Sequence, residues 1–124
     1  MSHRTRVLVV DDNKDMVESL LVLLDTEGYE AKGVYSAATI IADVGDFDPD
    51  VIILDIAMPG RDGWAAAREV RQYRTGNRPM LIAISGAYTR GAVAILAEGS
   101  GFDYYLIKPC DPKVLLKLVA SYTK

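Results

Sequence analysis

A chain of 124 residues, half of them apolar, can bury one substantial core but scarcely two, so a single globular domain is expected. Its 14 basic and 17 acidic side chains leave a formal charge of -3 with no basic block, so the electrostatic footprint of a nucleic-acid binder is missing. No apolar run approaches the roughly 18 residues of a membrane span, and the opening MSHRTRVLVVDD is too short and too acidic at its end for a secretion signal, so a cytoplasmic location is expected.

Short apolar, β-branched runs alternate with stretches of helical period. RVLVV, residues 6 to 10, reads as a strand covered on both faces of a parallel sheet. Between Lys14 and Glu27, Val17, Leu20, Leu21 and Leu24 recur at i, i+3, i+4 and i+7, which gives a helix one apolar face, and Gly28 stops it. YEAKGVY, 29 to 35, is a second strand, and Ser36 is the expected N-cap of a helix through Val44. DVIIL, 50 to 54, is a third strand. Asp62 or a neighbour then opens a helix on which Trp64, Ala67, Val70 and Arg71 share one side. MLIAI, 80 to 84, is the fourth strand, followed by a helix from about Arg90 to Glu98, with Gly91 near its start and Gly99 and Gly101 at its end. YYLI, 104 to 107, is the fifth strand. Asp111 as cap and Pro112 at the first position open a last helix that is expected to bury Val114, Leu115, Leu118, Val119 and Tyr122.

Five such β-then-α units, with no linker, repeat or low-complexity segment, imply an open parallel sheet with helices on both faces. Ligands of such sheets bind outside the carboxyl ends of the strands, where the strand order reverses. Three of those ends carry charge: Asp11 and Asp12 after the first strand, Asp55 after the third and Lys108 after the fifth, while Ser85 ends the fourth. Each has an ordinary alternative. Asp11 or Asp12 could cap a helix, Ser85 before Gly86 could belong to a turn, and Lys108 could be a solvated lysine. Those alternatives do not explain why all of them fall on one edge of the sheet.

Clustered carboxylates repel one another unless a cation neutralises them, and oxygen-only ligands suit Mg²⁺ or Mn²⁺ rather than zinc. The single histidine, His3, sits in the leading tail, and the lone Cys110 has neither a His nor a second Cys as companion, so both are expected to be bystanders. A carboxylate beside a divalent ion and an ammonium group can attack a phosphoryl donor and form an aspartyl phosphate. Neither GxxxxGK[ST] nor GxGxxG is present, so the phosphoryl group is expected to arrive from another molecule.

VLVVDDN at the start, DIAMPGRDG in the middle and YYLIKP near the end together resemble the receiver domain of two-component response regulators, across essentially the whole chain. The resemblance implies a flavodoxin-like (βα)₅ three-layer sandwich with strand order 2-1-3-4-5. By position it makes Asp55 the phosphoacceptor, Asp12 a direct Mg²⁺ ligand, Asp11 a ligand acting mainly through water, and the Ala57 carbonyl a third protein ligand. Ser85 corresponds to the hydroxyl residue that bonds the phosphoryl group, Lys108 to the lysine that pairs with it, and Pro109 to the proline that follows, typically through a cis bond. Tyr105 corresponds to the aromatic switch. Partners implied are a histidine kinase or histidine phosphotransfer protein as donor, and a downstream protein bound by the face of helix 4, strand 5 and helix 5. Such a domain catalyses only its own phosphorylation and dephosphorylation and is not otherwise an enzyme.

Two positions that often carry polar side chains near the phosphoryl group are alanines, Ala57 and Ala87, and AEGSGFD is one residue longer than usual before strand 5. AVAILA, 92 to 97, is an uncharged stretch expected to bind a protein or to pair with itself as a homodimer. DNKDMVESLLVLL and GFDYYLIKPCDP look like receivers of hybrid histidine kinases, whereas the Met1 start favours a free-standing chain, and no effector domain is expected within residues 1 to 124. The alternative readings are a phosphorylation-independent interaction module, which would have lost Asp55 or Lys108, and a phosphohydrolase of haloacid dehalogenase type, which would want an acid where Ala57 stands.

Overall fold

The computed structural model describes residues 4–56, 63–73, 79–86 and 101–122. Apolar runs that leave neither face polar must be covered twice, and that requirement organises the chain. The elements are β1 (Arg6–Val10), α1 (Lys14–Thr26), β2 (Glu30–Val34), α2 (Ile40–Phe47), β3 (Val51–Asp55), α3 (Gly63–Tyr73), β4 (Met80–Ser85), β5 (Tyr104–Ile107) and a C-terminal helix (Pro112–Ala120). All five strands pair in parallel in the order β2-β1-β3-β4-β5, the flavodoxin-like order. The order reverses between β1 and β3, whose carboxyl ends therefore border the crevice.

Side chains alternate across each strand, so every central strand feeds two cores. Val7 and Val9 of β1, Val51 and Ile53 of β3, and Ile82 and Ile84 of β4 meet Val17, Leu20 and Leu24 of α1 and Leu115 and Val119 of the C-terminal helix. Leu8 and Val10, Ile52 and Leu54, and Leu81 and Ala83 meet Ile40 and Val44 of α2 and Ala66, Ala67 and Val70 of α3. Each large aliphatic side chain removed from water in this way contributes about 1.5–3 kcal/mol. The result is the three-layer sandwich expected from the sequence.

Local signals explain most boundaries. Gly28, at φ 90°, takes the left-handed conformation that ends α1 just after its cap, as expected for a glycine there. Asp111 caps the C-terminal helix through a hydrogen bond from Lys113 N of 2.9 Å, with Pro112 in the first turn. Two expectations need correction. Ser36 does not cap α2: its Oγ accepts from Ala38 N in a turn, and α2 starts at Ile40 and runs to Phe47. Val114 is 43% exposed, because the helix turns Leu115 and Val119 to the sheet and leaves Val114 outside. The helix expected from about Arg90 to Glu98, the stretch AVAILA, and His3, Ala57 and Ala87 lie outside the described residues.

Candidate functional site

Asp11 follows β1 directly and is held there by two contacts. Its N–H donates to Val34 O (3.1 Å), extending the pairing with β2, and its Oδ1 accepts from Asn13 N (2.9 Å). Asn13, not Asp11 or Asp12, caps α1, its Oδ1 accepting from Met16 N at 3.1 Å. With the capping role filled by Asn13, neither aspartate is engaged as a helix cap. Asp55 ends β3, 4% exposed, with Ile84 as its register partner on β4. Asp11 is fully buried and Asp12 is exposed, and one carboxylate oxygen from each of Asp11, Asp12 and Asp55 lies within 4.8 Å of the others.

Lys108 enters from the end of β5. Its Nζ lies 2.8 Å from Asp11 Oδ2 and 3.1 Å from Asp55 Oδ2, so one ammonium bridges two strands' carboxylates. Burial works to lower the pKa of Lys108, but its contacts with Asp11 and Asp55, and their charges, outweigh that and hold it above the ordinary value. It is therefore a fixed cation and not a solvated lysine. Its backbone N–H donates to Ser85 O (2.9 Å), tying it to the end of β4, and the Lys108–Pro109 bond is cis.

Three carboxylates against one ammonium leave two negative charges in this cluster. Asp11 Oδ2 is buried beside the Lys108 ammonium, and its second lone pair leaves acceptor capacity for a hard cation. The donor set is oxygen only and fits Mg²⁺ or Mn²⁺. Asp12, the exposed member, gives that site its opening to solvent.

Ser85 and Tyr105 stand on the two strands that follow β3 in the sheet. Ser85 is 1% exposed at the end of β4. Tyr105 lies opposite Ala83 on β5, half-buried against the α2–α3 core, so it and Ser85 are near neighbours on one face beside a small residue. After Asp55 and Ile56 the chain re-enters at Gly63, where a Cβ would collide with the Ile56 backbone, so only glycine lets α3 start this close to the end of β3.

A groove of about 670 Å³ opens beside Lys108 between α1 and the C-terminal helix, with Met16, Leu20 and Cys110 in its wall. Burial pushes the Cys110 thiol up, against the opposing pull of Lys108. Sequence reasoning missed Asn13 as the cap of α1. The Asn-x-x-Met spacing carried that signal, but two neighbouring aspartates competed for the role. It also missed Lys14, whose Nζ sits over the Tyr35 ring at 5.4 Å and joins the start of α1 to the end of β2.

The profile described as response regulator receiver domain matches residues 7–120. The chain belongs to that family. Over 122 residues this receiver is 31% identical to the CAI-1 autoinducer sensor kinase/phosphatase CqsS of Vibrio cholerae, the match covering 97% of the receiver and 18% of CqsS. Over 118 residues it is 31% identical to the DNA-binding response regulator MtrA of Mycobacterium tuberculosis, covering 95% of the receiver and 50% of MtrA. The receiver thus spans half or less of the length of these relatives. A solved signal receiver domain from Bermanella marisrubri superposes with a TM-score of 0.83 at 26% identity, covering 98% of this chain and 100% of that one. Family membership places the receiver in two-component phosphorelay signalling. Among the described residues no helix is long and apolar enough to cross a membrane.

Proposed function

We propose that Asp55 accepts a phosphoryl group from the phosphohistidine of a histidine kinase or histidine phosphotransfer protein, in a reaction that needs Mg²⁺ or Mn²⁺. The observation that carries this reading is the bridge of Lys108 Nζ to Asp11 Oδ2 at 2.8 Å and Asp55 Oδ2 at 3.1 Å, which puts nucleophile, counter-charge and acidic ligands at one sheet edge. A carboxylate oxygen of Asp55 attacks phosphorus in line, the P–N bond to the donor imidazole breaks, and the imidazole leaves as the new acyl phosphate forms. Lys108 follows the charge from the carboxylate to the transferred group, and the Ser85 hydroxyl donates to one of its oxygens. A divalent ion held by Asp11, Asp12, Asp55 and the Ala57 carbonyl would neutralise the remaining charge. β3 fixes the nucleophile rigidly at the edge of the sheet, next to Lys108 and the other acidic residues, which is the physical reason for ending a buried strand on a carboxylate.

The added group carries roughly two negative charges and three acceptor oxygens. Drawing Ser85 and Lys108 toward it changes the space beside Ala83 that Tyr105 borders, and the output is a shift between two populations of the face that includes β5 and the C-terminal helix. That face offers a protein partner Tyr104 and Ile107 on β5 and Val114 on the helix, 40%, 45% and 43% exposed. The domain's only chemistry is formation and hydrolysis of its own aspartyl phosphate, and its place is the cytoplasm. Intact mass after incubation with acetyl phosphate and Mg²⁺ tests the reading: the wild type should gain one phosphoryl group, and Asp55→Asn none. No gain in the folded, Mg²⁺-treated wild type would make it a phosphorylation-independent interaction module.

A further inference from the structure

β5 is a four-residue edge strand, paired among the described residues with β4 alone, and none of its residues is fully buried. Only Tyr105 and Leu106, each partly buried, anchor this short strand in the two cores, and a slip of two residues would move everything after it by about 6.6 Å. Lys108 is the residue immediately after it. Something must hold the strand at the other end, and α3 supplies it. The Arg71 guanidinium donates from Nε to Gly101 O (2.8 Å), from Nη1 to Pro79 O (2.6 Å) and from Nη2 to Asp103 Oδ2 (2.9 Å). The same Asp103 oxygen accepts from Leu81 N (2.8 Å), and Asp103 N donates to Leu81 O (2.8 Å). One planar fork therefore ties the start of β4, through Pro79, to the entry of β5, through Gly101 and Asp103.

The surroundings are shaped to this contact. Gly101 has φ 99°, and a Cβ there would press to 3.3 Å on Arg71 Cγ. The next residue, Phe102, is buried edge-on against Trp64 of α3, with ring centroids 5.4 Å apart.

We infer that Arg71 and Asp103 are positioning residues that lock the register of β5 and so place Lys108 opposite Asp55. The lock sits at the end of the sheet opposite the acidic site and acts through the four residues of β5. Its consequence for phosphotransfer rests on the receiver reading of Lys108 given above.

Phosphoryl uptake from acetyl phosphate with Mg²⁺, followed by intact mass, is compared in the wild type, Arg71→Met, Lys108→Ala and the double variant. Arg71→Met should slow uptake roughly ten- to hundredfold, because a displacement of about 1 Å at a reacting centre costs that much. If Arg71 acts through Lys108, the double variant should be no slower than Lys108→Ala alone. Multiplicative losses in the double variant, or full speed in Arg71→Met, overturn the inference. Cross-strand NOEs between Ile84 and Leu106 report the register directly. They should vanish or shift in Arg71→Met and in the milder Asp103→Asn, and their retention in both, with β5 still ordered, also overturns it. If the wild type takes up no phosphoryl group, the receiver reading falls while the lock itself is decided by the NOEs.

Discussion

Asp50 shows how one buried side chain can organise an end of the molecule away from the chemistry. Its Oδ2 accepts from Arg6 N (2.9 Å) and its Oδ1 from the Tyr122 hydroxyl (3.4 Å), so the start of β1, the start of β3 and the end of the C-terminal helix meet on one carboxylate. Burial first, and then the charge of Asp50, push the Tyr122 phenol above its ordinary value of about 10. The fold thus favours the neutral phenol. Its contribution is complete below that ordinary value and is lost as pH rises through the raised one. Thermal unfolding followed by circular dichroism should show the wild type losing stability more steeply than Tyr122→Phe above about pH 10, and parallel slopes would refute this. At neutral pH the hydrogen bond is long, so Tyr122→Phe should cost no more than about 1 kcal/mol. Asp11, Asp12, Asp55, Ser85 and Lys108 were legible in the sequence because each ends a strand, and strand ends are countable. Asp50, Arg71 and Asp103 were not, since their partners lie 44, 30 and 22 residues away along the chain and no local pattern records such contacts.

The C-terminal helix is the element whose start was read most directly, since Asp111 and Pro112 are a local cap and a local first turn that need no tertiary context. Replacing Asp111 by Ala removes the acceptor for Lys113 N and should cost about 0.5–2 kcal/mol in chemical denaturation. Lys108 precedes this cap by three residues and is pinned to Ser85 O, so the same substitution should leave metal-dependent phosphoryl uptake within about twofold of the wild type. A small stability loss with a large activity loss would mean the cap also holds the loop that presents Lys108. Boundaries were misread where tertiary packing decided between equal local options. Ser36 had the chemistry of a cap, yet the chain makes a turn through Ala37, itself 1% exposed in the α2–α3 core, before the helix begins at Ile40. Val114 had the right apolar character, but the helix presents Leu115 and Val119 to the sheet, and a neighbouring residue cannot share that face.

For the molecule as a whole, the acidic edge should make stability depend on Mg²⁺, and two variants of the same charge change should differ in chelator. Asp11, Asp12 and Asp55 hold three negative charges around one ammonium, so without a divalent ion the folded state carries a repulsion that the extended chain relieves. Asp12 is exposed and Lys108 contacts Asp11 and Asp55, so Asp12→Asn removes repulsion without breaking an ion pair. In chelator, Asp12→Asn should therefore unfold at the same or a higher urea concentration than the wild type. Asp55→Asn relieves repulsion too but also dissolves the Asp55–Lys108 pair, so its net effect in chelator should be smaller or unfavourable. Adding Mg²⁺ at about a hundred times its dissociation constant stabilises a protein that binds it only when folded by about 2.7 kcal/mol. The wild type should gain that and overtake Asp12→Asn, which lacks one carboxylate of the proposed site. Urea unfolding of the three proteins, with and without Mg²⁺, gives six midpoints. A wild type unmoved by Mg²⁺, or an Asp12→Asn that gains as much as the wild type, would show that this edge does not hold the ion.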